Sequence, residues 1–512
     1  MSKNNEVSLV VQTPQATCRG AMVCKDITPP IGIYHRMWGA ALHDRATGIH
    51  RPLEARLLWL EPRDSEPYDS ESNISEPNFS RTREARILLS LDHCILDAQE
   101  IESIRESIHQ STAIPKQNIL VTLTHTHGAG WMSRSRSSLP GGELLGPYLD
   151  GLALQMGQLA LEAKKHIEPL SIVYGKGRCE LAAQRDYFDI ERQRFVCGFN
   201  PLGEADDTLL IARITNANGK IIGNIINYAC HPTTLAWDNT LISPDWVGAM
   251  RETIDKELGG LSLFLQGASG DLGPREGFVG DTAIADRNGK QVGHSALSTL
   301  ATLPYPNTEY RYSGPVISGT AIGTWQHRPI SPERETSLNR WHWESLVVEL
   351  PYRIDLPSIE QTLAERDHWL NEEQKARQNQ DELRVRDCRA QVEQRTRQLT
   401  RLNHLVPGKS YPITVHIGLV GDAIWIFLPG ELYQIFQTTL RRRFAPNPIV
   451  ITTLTNDWQP GYIPPASTYG YEIYQEVIAA TAPGCLELMV ESISRRLTDL
   501  ISQIGSSENA YR

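Results

Sequence analysis

The sequence predicts an α/β protein built on a large mixed sheet with a charged helical insertion. Three observations predict this fold class. From about residue 85 onward, short apolar segments alternate with amphipathic ones, which is typical of strands followed by helices. Residues suited to metal binding or acid–base chemistry follow several of the predicted strands. Residues 356–405 are dense in Glu, Gln and Arg and keep their apolar residues at helical spacing.

The composition bounds the class of protein. Of the 512 residues, 40% are hydrophobic and 21% are charged, so the chain can bury a core and is not a disordered chain. The net charge of −10 argues against a nucleic-acid partner, and no apolar run is long enough for a membrane span. The eight cysteines form no Cys-x-x-Cys pair and no signal-peptide pattern opens the chain, which favours a reduced, cytoplasmic protein.

The first 80 residues are expected to be irregular apart from a strand at 56–60, and the segment 62–83 is expected to be a solvent loop. Beyond them the pattern predicts strands at 86–91, 118–123, 208–215, 220–228 and 261–265, and helices at about 97–109, 147–166 and 245–258. An Asn-Ala-Asn-Gly turn between the third and fourth of these strands predicts a β-hairpin.

The charged segment 356–405 is predicted to form a helical hairpin or a pair of long helices. Its Arg-rich part, 384–401, suits either an anion site or a solvated helix face, and its composition favours the solvated face. The α/β pattern then resumes with strands at 423–428 and 449–454, a helix ending near residue 444, and a C-terminal helix at about 484–502.

Open α/β sheets bind ligands beyond the carboxyl ends of their strands, and five segments place suitable side chains there. These candidates are His125 and His127, His231, Ser269 and Asp271, Glu431, and the loop 456–462. At strand spacing His125 and His127 point to the same side, which suits a metal site, although two structural histidines would show the same pattern.

The other candidates also have structural explanations. The residues around Ser269 do not match Gly-x-Ser-x-Gly, so a Gly-rich turn that carries Asp271 into the site is preferred to Ser269 as a nucleophile. His231 alone is more often a hydrogen-bonded structural histidine. Glu431 opens a helix, where the helix dipole alone would favour a carboxylate.

The ordered set of motifs resembles the catalytic domain of the neutral/alkaline ceramidase family, over residues from about 20 to 475. The matching segments are Asp-Ile-Thr-Pro at 26–29, Thr-His-Thr-His-Gly at 124–128, Asn-Tyr-Ala-Cys-His-Pro-Thr-Thr at 227–234, Leu-Ile-Ser-Pro-Asp-Trp-Val-Gly at 241–248, Gln-Gly-Ala-Ser-Gly-Asp at 266–271, Pro-Gly-Glu at 429–431 and Gly-Tyr-Ile-Pro at 461–464. The resemblance implies a zinc ion held by two histidines, a glutamate and a tyrosine, which at the matching positions are His125, His231, Glu431 and Tyr462.

The resemblance also implies that His127 contacts substrate or water and that Arg185 helps to stabilise an oxyanion. The expected activity is zinc-dependent hydrolysis of an amide (C–N) bond in a small-molecule or lipid-like acyl substrate by metal-activated water. His127 or Asp271 is expected to accept the proton, and Arg185 or His127 to stabilise the tetrahedral oxyanion.

The chain departs from the family's pattern at one chemical position. Gly273 stands where the ceramide-cleaving members carry a serine implicated as the nucleophile, so we expect a substrate other than ceramide. We also expect neither the family's signal sequence nor its C-terminal β-sandwich. We therefore expect one catalytic domain over 1–512, with the insertion 356–405 as a lid.

Two alternative functions are compatible with the same residues. One is a zinc esterase, lactonase or cyclic-amide hydrolase, and the other is a non-catalytic metal-stabilised binding protein. A homo-oligomer is compatible with each.

Overall fold

The computed structural model describes residues 9–64 and 84–510, and the side chains as far as residue 503. Its strands are β1 (Val10–Val11), β2 (Gln15–Asp26), β3 (Gly48–Ile49), β4 (Glu54–Glu61), β5 (Arg86–Leu91), β6 (Ile119–Leu123), β7 (Glu168–Arg178), β8 (Ala182–Gln184), β9 (Asp186–Asp189), β10 (Arg194–Cys197), β11 (Thr208–Asn216), β12 (Ile221–Tyr228), β13 (Leu241–Ile242), β14 (Leu261–Gln266), β15 (Leu272–Pro274), β16 (Thr308–Ile317), β17 (Ala321–Pro329), β18 (Trp341–Pro351), β19 (Ser410–Val420), β20 (Ala423–Phe427), β21 (Glu431–Leu432), β22 (Ile449–Thr452) and β23 (Tyr462–Ile463).

The helices within the described residues are α1 (Ala98–Thr112), α2 (Leu145–Lys164), α3 (Trp246–Leu258), α4 (Thr282–Leu300), α5 (Pro332–Leu338), α6 (Ile359–Gln378), α7 (Glu382–His404), α8 (Gln434–Arg443), α9 (Tyr474–Ile478) and α10 (Cys485–Ala510). None of them is long and apolar enough to cross a membrane. The mixture of helices with a large mixed sheet confirms the predicted α/β class.

Two sheets form the framework. The larger has eight strands in the order β14-β12-β11-β7-β2-β4-β5-β6, and the smaller has four in the order β18-β19-β20-β22. Most neighbouring strands are antiparallel, but β12 with β14, β5 with β6, and β20 with β22 are parallel. The predicted β-hairpin is observed as the antiparallel pair β11 and β12.

The two sheets and the helices that cover them form four layers, with helices on the outside and the sheets packed between them. On β4, Leu57 and Trp59 belong to the core under helices α1 and α2. Leu58 and Leu60 point the other way, into a core shared with Trp425 of the smaller sheet. The far face of the smaller sheet packs on α8 and α10. Because successive strand residues face opposite sides, each sheet buries apolar side chains on both faces.

The larger sheet curls so that its two edges approach each other. The hydroxyl of Ser90 on β5 donates a hydrogen bond to the carbonyl of Phe264 on β14, at 2.8 Å. Strand β14 also contacts β6, although the two lie at opposite ends of the strand order. The curl therefore brings the segments that follow β6, β12 and β14 to one place.

The expectation that the first 80 residues are irregular apart from one strand is wrong. Residues 15–26 form β2, a twelve-residue strand in the middle of the larger sheet. Its first four residues, Gln-Ala-Thr-Cys, are all buried, so polar side chains as well as apolar ones lie inside the protein here. The predicted loop 62–83 lies outside the described residues from position 65 onward.

Strand β7 was not predicted either, because it contains two glycines. A Cβ at Gly177 would lie 1.9 Å from the Thr299 hydroxyl oxygen, so the glycine allows α4 to approach the strand closely.

The charged segment forms α6 and α7, which pack along each other. Helix α6 begins with a capping box, in which Ser358 and Gln361 exchange side-chain-to-backbone hydrogen bonds. Helix α7 docks on the body of the protein through Glu393, whose two carboxylate oxygens accept from the Arg136 guanidinium at 2.9 and 3.0 Å. Arg397 donates to the same carboxylate at 2.7 Å.

Candidate functional site

Two buried histidines and one buried glutamate form the centre of the site. The Nε2 atoms of His125 and His231 lie 3.2 and 3.0 Å from the same oxygen of Glu431, Oε2. One ligand atom from each of the three residues lies within 4.8 Å of the others. The phenol oxygen of Tyr462 is 3.4 Å from Nε2 of His231. The four residues that the family resemblance singled out thus lie together.

The opposite ring nitrogens show how the two imidazoles are oriented. Nδ1 of His125 lies 2.8 Å from the carbonyl oxygen of Cys94, and Nδ1 of His231 lies 2.7 Å from that of Ser269. A carbonyl only accepts, so each Nδ1 carries a proton, and Nε2 of the uncharged His231 presents its lone pair. That lone pair and Nε2 of His125 converge on one carboxylate oxygen, an arrangement that suits a bound metal cation.

The three side chains of the cluster shift one another's pKa values. Burial acts to lower the pKa of His125, but Cys94 and Glu431 raise it well above its ordinary value. Burial by itself raises the pKa of Glu431, but His125 and His231 lower that pKa well below its ordinary value. Burial lowers the pKa of His231 to about 3, with Arg185 acting in the same direction. The cluster thus presents a carboxylate and an uncharged imidazole, both of which are ready to bind a metal.

Backbone geometry brings Glu431 and Tyr462 side by side. Strands β21 and β23 are a short parallel pair in which these two residues are register partners. Each follows a glycine with a left-handed backbone, Gly430 at φ 82° and Gly461 at φ 84°. The Glu431 amide donates to the Gly461 carbonyl at 2.8 Å, which ties the two ligand-bearing segments together.

The interpretation of His125 and His127 as neighbours on a strand is wrong. Strand β6 ends at Leu123, His125 has a left-handed backbone at φ 67°, and His127 opens a short helical turn. A left-handed conformation is costly for a residue with a side chain and is found where function or packing demands it. The two rings lie 5.0 Å apart at 84°, so they face the site from different directions.

His127 is half-buried, and its two ring nitrogens are buried without a hydrogen-bond partner among the described residues. Burial, together with the nearby His125 and His231, lowers its pKa well below the ordinary value. Its ring lies 4.9 Å from that of Trp38. His127 is thus an uncharged imidazole beside the metal cluster, with a lone pair available to a ligand or a water.

Arg185 connects the cluster to the turn after β14. Its guanidinium donates to the carbonyl of Gly270 at 2.7 Å and to the phenol oxygen of Tyr462 at 2.9 Å. Burial raises the pKa of Tyr462 well above its ordinary value, although Arg185 acts to lower it. The phenol keeps its proton unless a further cation binds its oxygen.

The carboxylate of Asp271 is hydrogen-bonded to the start of α8 and not to the histidine–glutamate cluster. Its two carboxylate oxygens accept from the backbone amide and the side-chain amide of Gln434, at 2.7 and 2.9 Å. Gln434 is the first residue of α8, so Asp271 satisfies an amide that the helix leaves unpaired. Burial raises the pKa of Asp271 to about 6.

Position 273 faces the site. A Cβ built on Gly273 would lie 3.6 Å from the Thr233 hydroxyl oxygen and 3.8 Å from Cδ of Arg185, which are ordinary contacts. The Thr233 hydroxyl is buried and has no hydrogen-bond partner in the described part of the chain. Sequence reasoning missed Thr233 as a site residue, although it stands two positions after His231 in the same motif.

An aromatic wall beside His127 was also missed. The ring of Trp38 lies 5.6 Å from that of Phe278 and 6.1 Å from that of Trp237, in edge-to-face contacts. The three residues come from separate loops, so no periodicity in the sequence groups them. The wall gives the site an apolar side next to its polar centre.

The residues present fit a zinc ion. Two imidazole nitrogens, a carboxylate oxygen and a phenol oxygen converge, and nitrogen and oxygen donors of this kind suit zinc. Both histidines are held by backbone carbonyls through their second nitrogen, as metal-binding histidines usually are.

The chain shares its fold with solved ceramidase structures. The neutral ceramidase from Pseudomonas aeruginosa superposes with a TM-score of 0.58 at 12% identity, covering 94% of this chain and 74% of that one. A ceramidase described as complexed with C2 gives 0.59 at 14% identity with the same coverage. No protein-family model and no curated protein sequence matches the chain. Agreement at such low identity shows a ceramidase-like fold.

Proposed function

We propose that this protein is a zinc-dependent hydrolase that cleaves an amide bond in a small-molecule or lipid-like acyl substrate. The observation that carries the proposal is the convergence of two imidazole Nε2 atoms on one oxygen of Glu431. His125, His231, Glu431 and Tyr462 hold the metal in this account. The ceramidase-like fold supports the same reaction class.

A zinc ion bound there supplies Lewis acidity, which polarises a carbonyl and lowers the pKa of water to about 7. The proton acceptor in the proposal is His127, because its ring is uncharged, buried and unpartnered. Asp271 is the weaker choice, since Gln434 already occupies both of its oxygens.

Arg185 stabilises negative charge that develops on the substrate oxygen. Its guanidinium is buried next to Tyr462 and carries a fixed positive charge, which acts strongly where water is excluded. The Thr233 hydroxyl, which is also unpartnered, is placed to orient a polar group of the substrate near position 273.

The aromatic wall of Trp38, Trp237 and Phe278 supports an apolar acyl portion. These rings lie next to His127, and Trp237 is partly exposed, so an apolar chain can reach the site along this side. Apolar walls with a few polar groups are typical of sites for acyl substrates.

The test is hydrolysis of matched acyl amides and acyl esters by zinc-loaded protein in water enriched in ¹⁸O. We expect the acid product of the amides to carry one ¹⁸O atom, and the double variant H125A/H231A to lose this activity. H166A, a substitution at an exposed histidine, is the matched control and should be fully active. Turnover of esters alone would move the assignment to an esterase. Equal activity in the double variant would overturn the proposal.

A further inference from the structure

Arg401 is a buried arginine without a carboxylate partner among the described residues. It lies in the last turn of α7, is only 7% exposed, and its Nε has no hydrogen-bond partner in the described part of the protein. One terminal nitrogen donates to the neighbouring Gln398 side chain at 2.7 Å. Burying an arginine without an acid is costly, so a free guanidinium face inside a protein calls for an anion.

Its neighbours on the same helix are neutralised. Arg389 pairs with Asp44 at 2.7 Å, Arg395 with Glu365 at 3.0 Å, and Arg397 with Glu393 at 2.7 Å. The Arg-rich stretch is therefore a solvated or ion-paired surface over most of its length. Arg401 is different, because its positive charge is buried and still unpaired.

Arg401 also lines a cavity of about 210 Å³ between the helical hairpin and the segment that contains Val477. Two further arginines line this cavity, but Arg353 is bound to Asp355 and Arg395 to Glu365. The acids at the cavity are thus already occupied, and its surplus positive charge is that of Arg401. Burial lowers the pKa of Arg401 only to about 10, so the side chain is charged at neutral pH.

The same side chain reaches the segment that carries a candidate ligand. A Cβ built on Gly461 would lie 3.9 Å from Cδ of Arg401, and Gly461 immediately precedes Tyr462. Arg401 therefore contacts the cavity on one side and the metal-site loop on the other.

We propose that Arg401 binds an anionic group of the substrate, a carboxylate or a phosphate, while the scissile amide lies at the metal site. The inference rests on the proposed hydrolase function and adds the class of substrate, a negatively charged acyl amide. A guanidinium recognises the planar or tetrahedral oxygens of these groups with two parallel hydrogen bonds. In this account α7 is the element that sets the charge preference of the enzyme.

The test compares two pairs of amides that differ only in charge. N-octanoylglycine is set against N-octanoylglycinamide, and the phosphate ester of N-octanoylethanolamine against N-octanoylethanolamine. For zinc-loaded wild type we expect kcat/KM to favour the charged member of one pair by about tenfold or more, as for a hydrogen-bonded charge. R401Q should reduce this preference to less than about twofold.

R395Q is the matched control, because Arg395 lines the same cavity but already has an acid partner. It should keep the wild-type preference. The pair that shows the effect distinguishes a carboxylate from a phosphate. If R401Q fails to fold, R401K serves in its place, because lysine keeps the positive charge but lacks the planar guanidinium that donates two parallel hydrogen bonds. R401K should weaken the preference for the charged member and leave the melting temperature unchanged.

Calorimetric titration of the same four compounds gives a second readout that does not depend on turnover. Binding that favours a charged member and disappears in R401Q, without any hydrolysis, would support the anion site and contradict the hydrolase. Equal affinity for charged and neutral members in the wild type, or a preference that survives in R401Q, would overturn the inference.

Discussion

Nε2 of His231 lies 3.0 Å from Oε2 of Glu431, and the hydrogen bond at Nδ1 leaves both of these atoms as acceptors. Two acceptors at hydrogen-bonding distance repel unless a cation lies between them. Nε2 of His125 approaches the same oxygen from the other side, at 3.2 Å. This convergence of donor atoms is the observation on which the proposed metal site rests.

Replacing His127 by Asn should separate chemistry from metal binding. H127N retains similar size and polarity but cannot accept a proton at neutral pH, so kcat should fall by about 10²–10⁴. The zinc content should stay at the wild-type value, because His127 is not among the ligands in this account. Metal analysis and steady-state kinetics on the most active amide check both statements. A kcat within about threefold of wild type would exclude His127 as the base.

Gly273 should tolerate serine. The added Cβ meets only ordinary contacts with Thr233 and Arg185, so G273S should fold, bind zinc and melt close to the wild type. G20S is the contrasting variant, since a Cβ there would lie 2.1 Å from the carbonyl oxygen of Trp59. It should lose about 1–3 kcal/mol of stability in urea unfolding. Similar losses in both variants would show that position 273 does not face an open space.

Asp271 should make folding depend on pH in a definite direction. Burial raises its pKa to about 6 from 3.8, so the folded state holds this proton more tightly than the unfolded chain. Its contribution to stability is therefore present below about pH 4 and is lost as pH rises through about 6.

The difference between wild type and D271N isolates this effect. Urea unfolding between pH 4 and 6 should show a steeper fall for wild type, by up to about 1.4 kcal/mol per pH unit. The pH profile of kcat should not move in D271N, because the proposal assigns the base to His127. A shifted pH profile of kcat would indicate that Asp271 takes part in the proton transfer.

The contact between Glu393 and Arg136 should hold the helical hairpin in place. Both side chains are buried and joined by two hydrogen bonds, and removal of one partner of such a pair costs about 3–5 kcal/mol. In E393Q we expect faster amide exchange across α6 and α7. E365Q is the control, because Glu365 is exposed where it pairs with Arg395 and such pairs contribute at most about 1 kcal/mol. Unchanged exchange in E393Q would show that other contacts dock the hairpin.

The strands that could be predicted are marked by short-range patterns in the sequence. Strands β5, β6, β11, β12, β14, β20 and β22 were predicted because they are short apolar runs bounded by turns. Strand β2 was missed since its buried face includes polar residues such as Gln15 and Thr17, and β7 was missed since two glycines interrupt it. Long-range burial of this kind overrides local pattern.

The site also contains residues that the sequence predicted and a residue that only the structure identified. The set His125, His231, Glu431 and Tyr462 could be named in advance from the family resemblance, because each of them stands in one of its motifs. Their convergence required the curl of the larger sheet, which local sequence does not encode. Arg401 resembles its ion-paired neighbours in sequence. Only the absence of a carboxylate partner within the described structure distinguishes it.

The zinc content of the purified protein tests the central claim most directly. Inductively coupled plasma mass spectrometry on wild type, after zinc loading and removal of free metal, should give about one zinc per chain. H231A and E431Q should each lose most of it, while H166A keeps it. A wild type that takes up no zinc, or an H125A/H231A double variant that still binds one zinc per chain, would contradict the account.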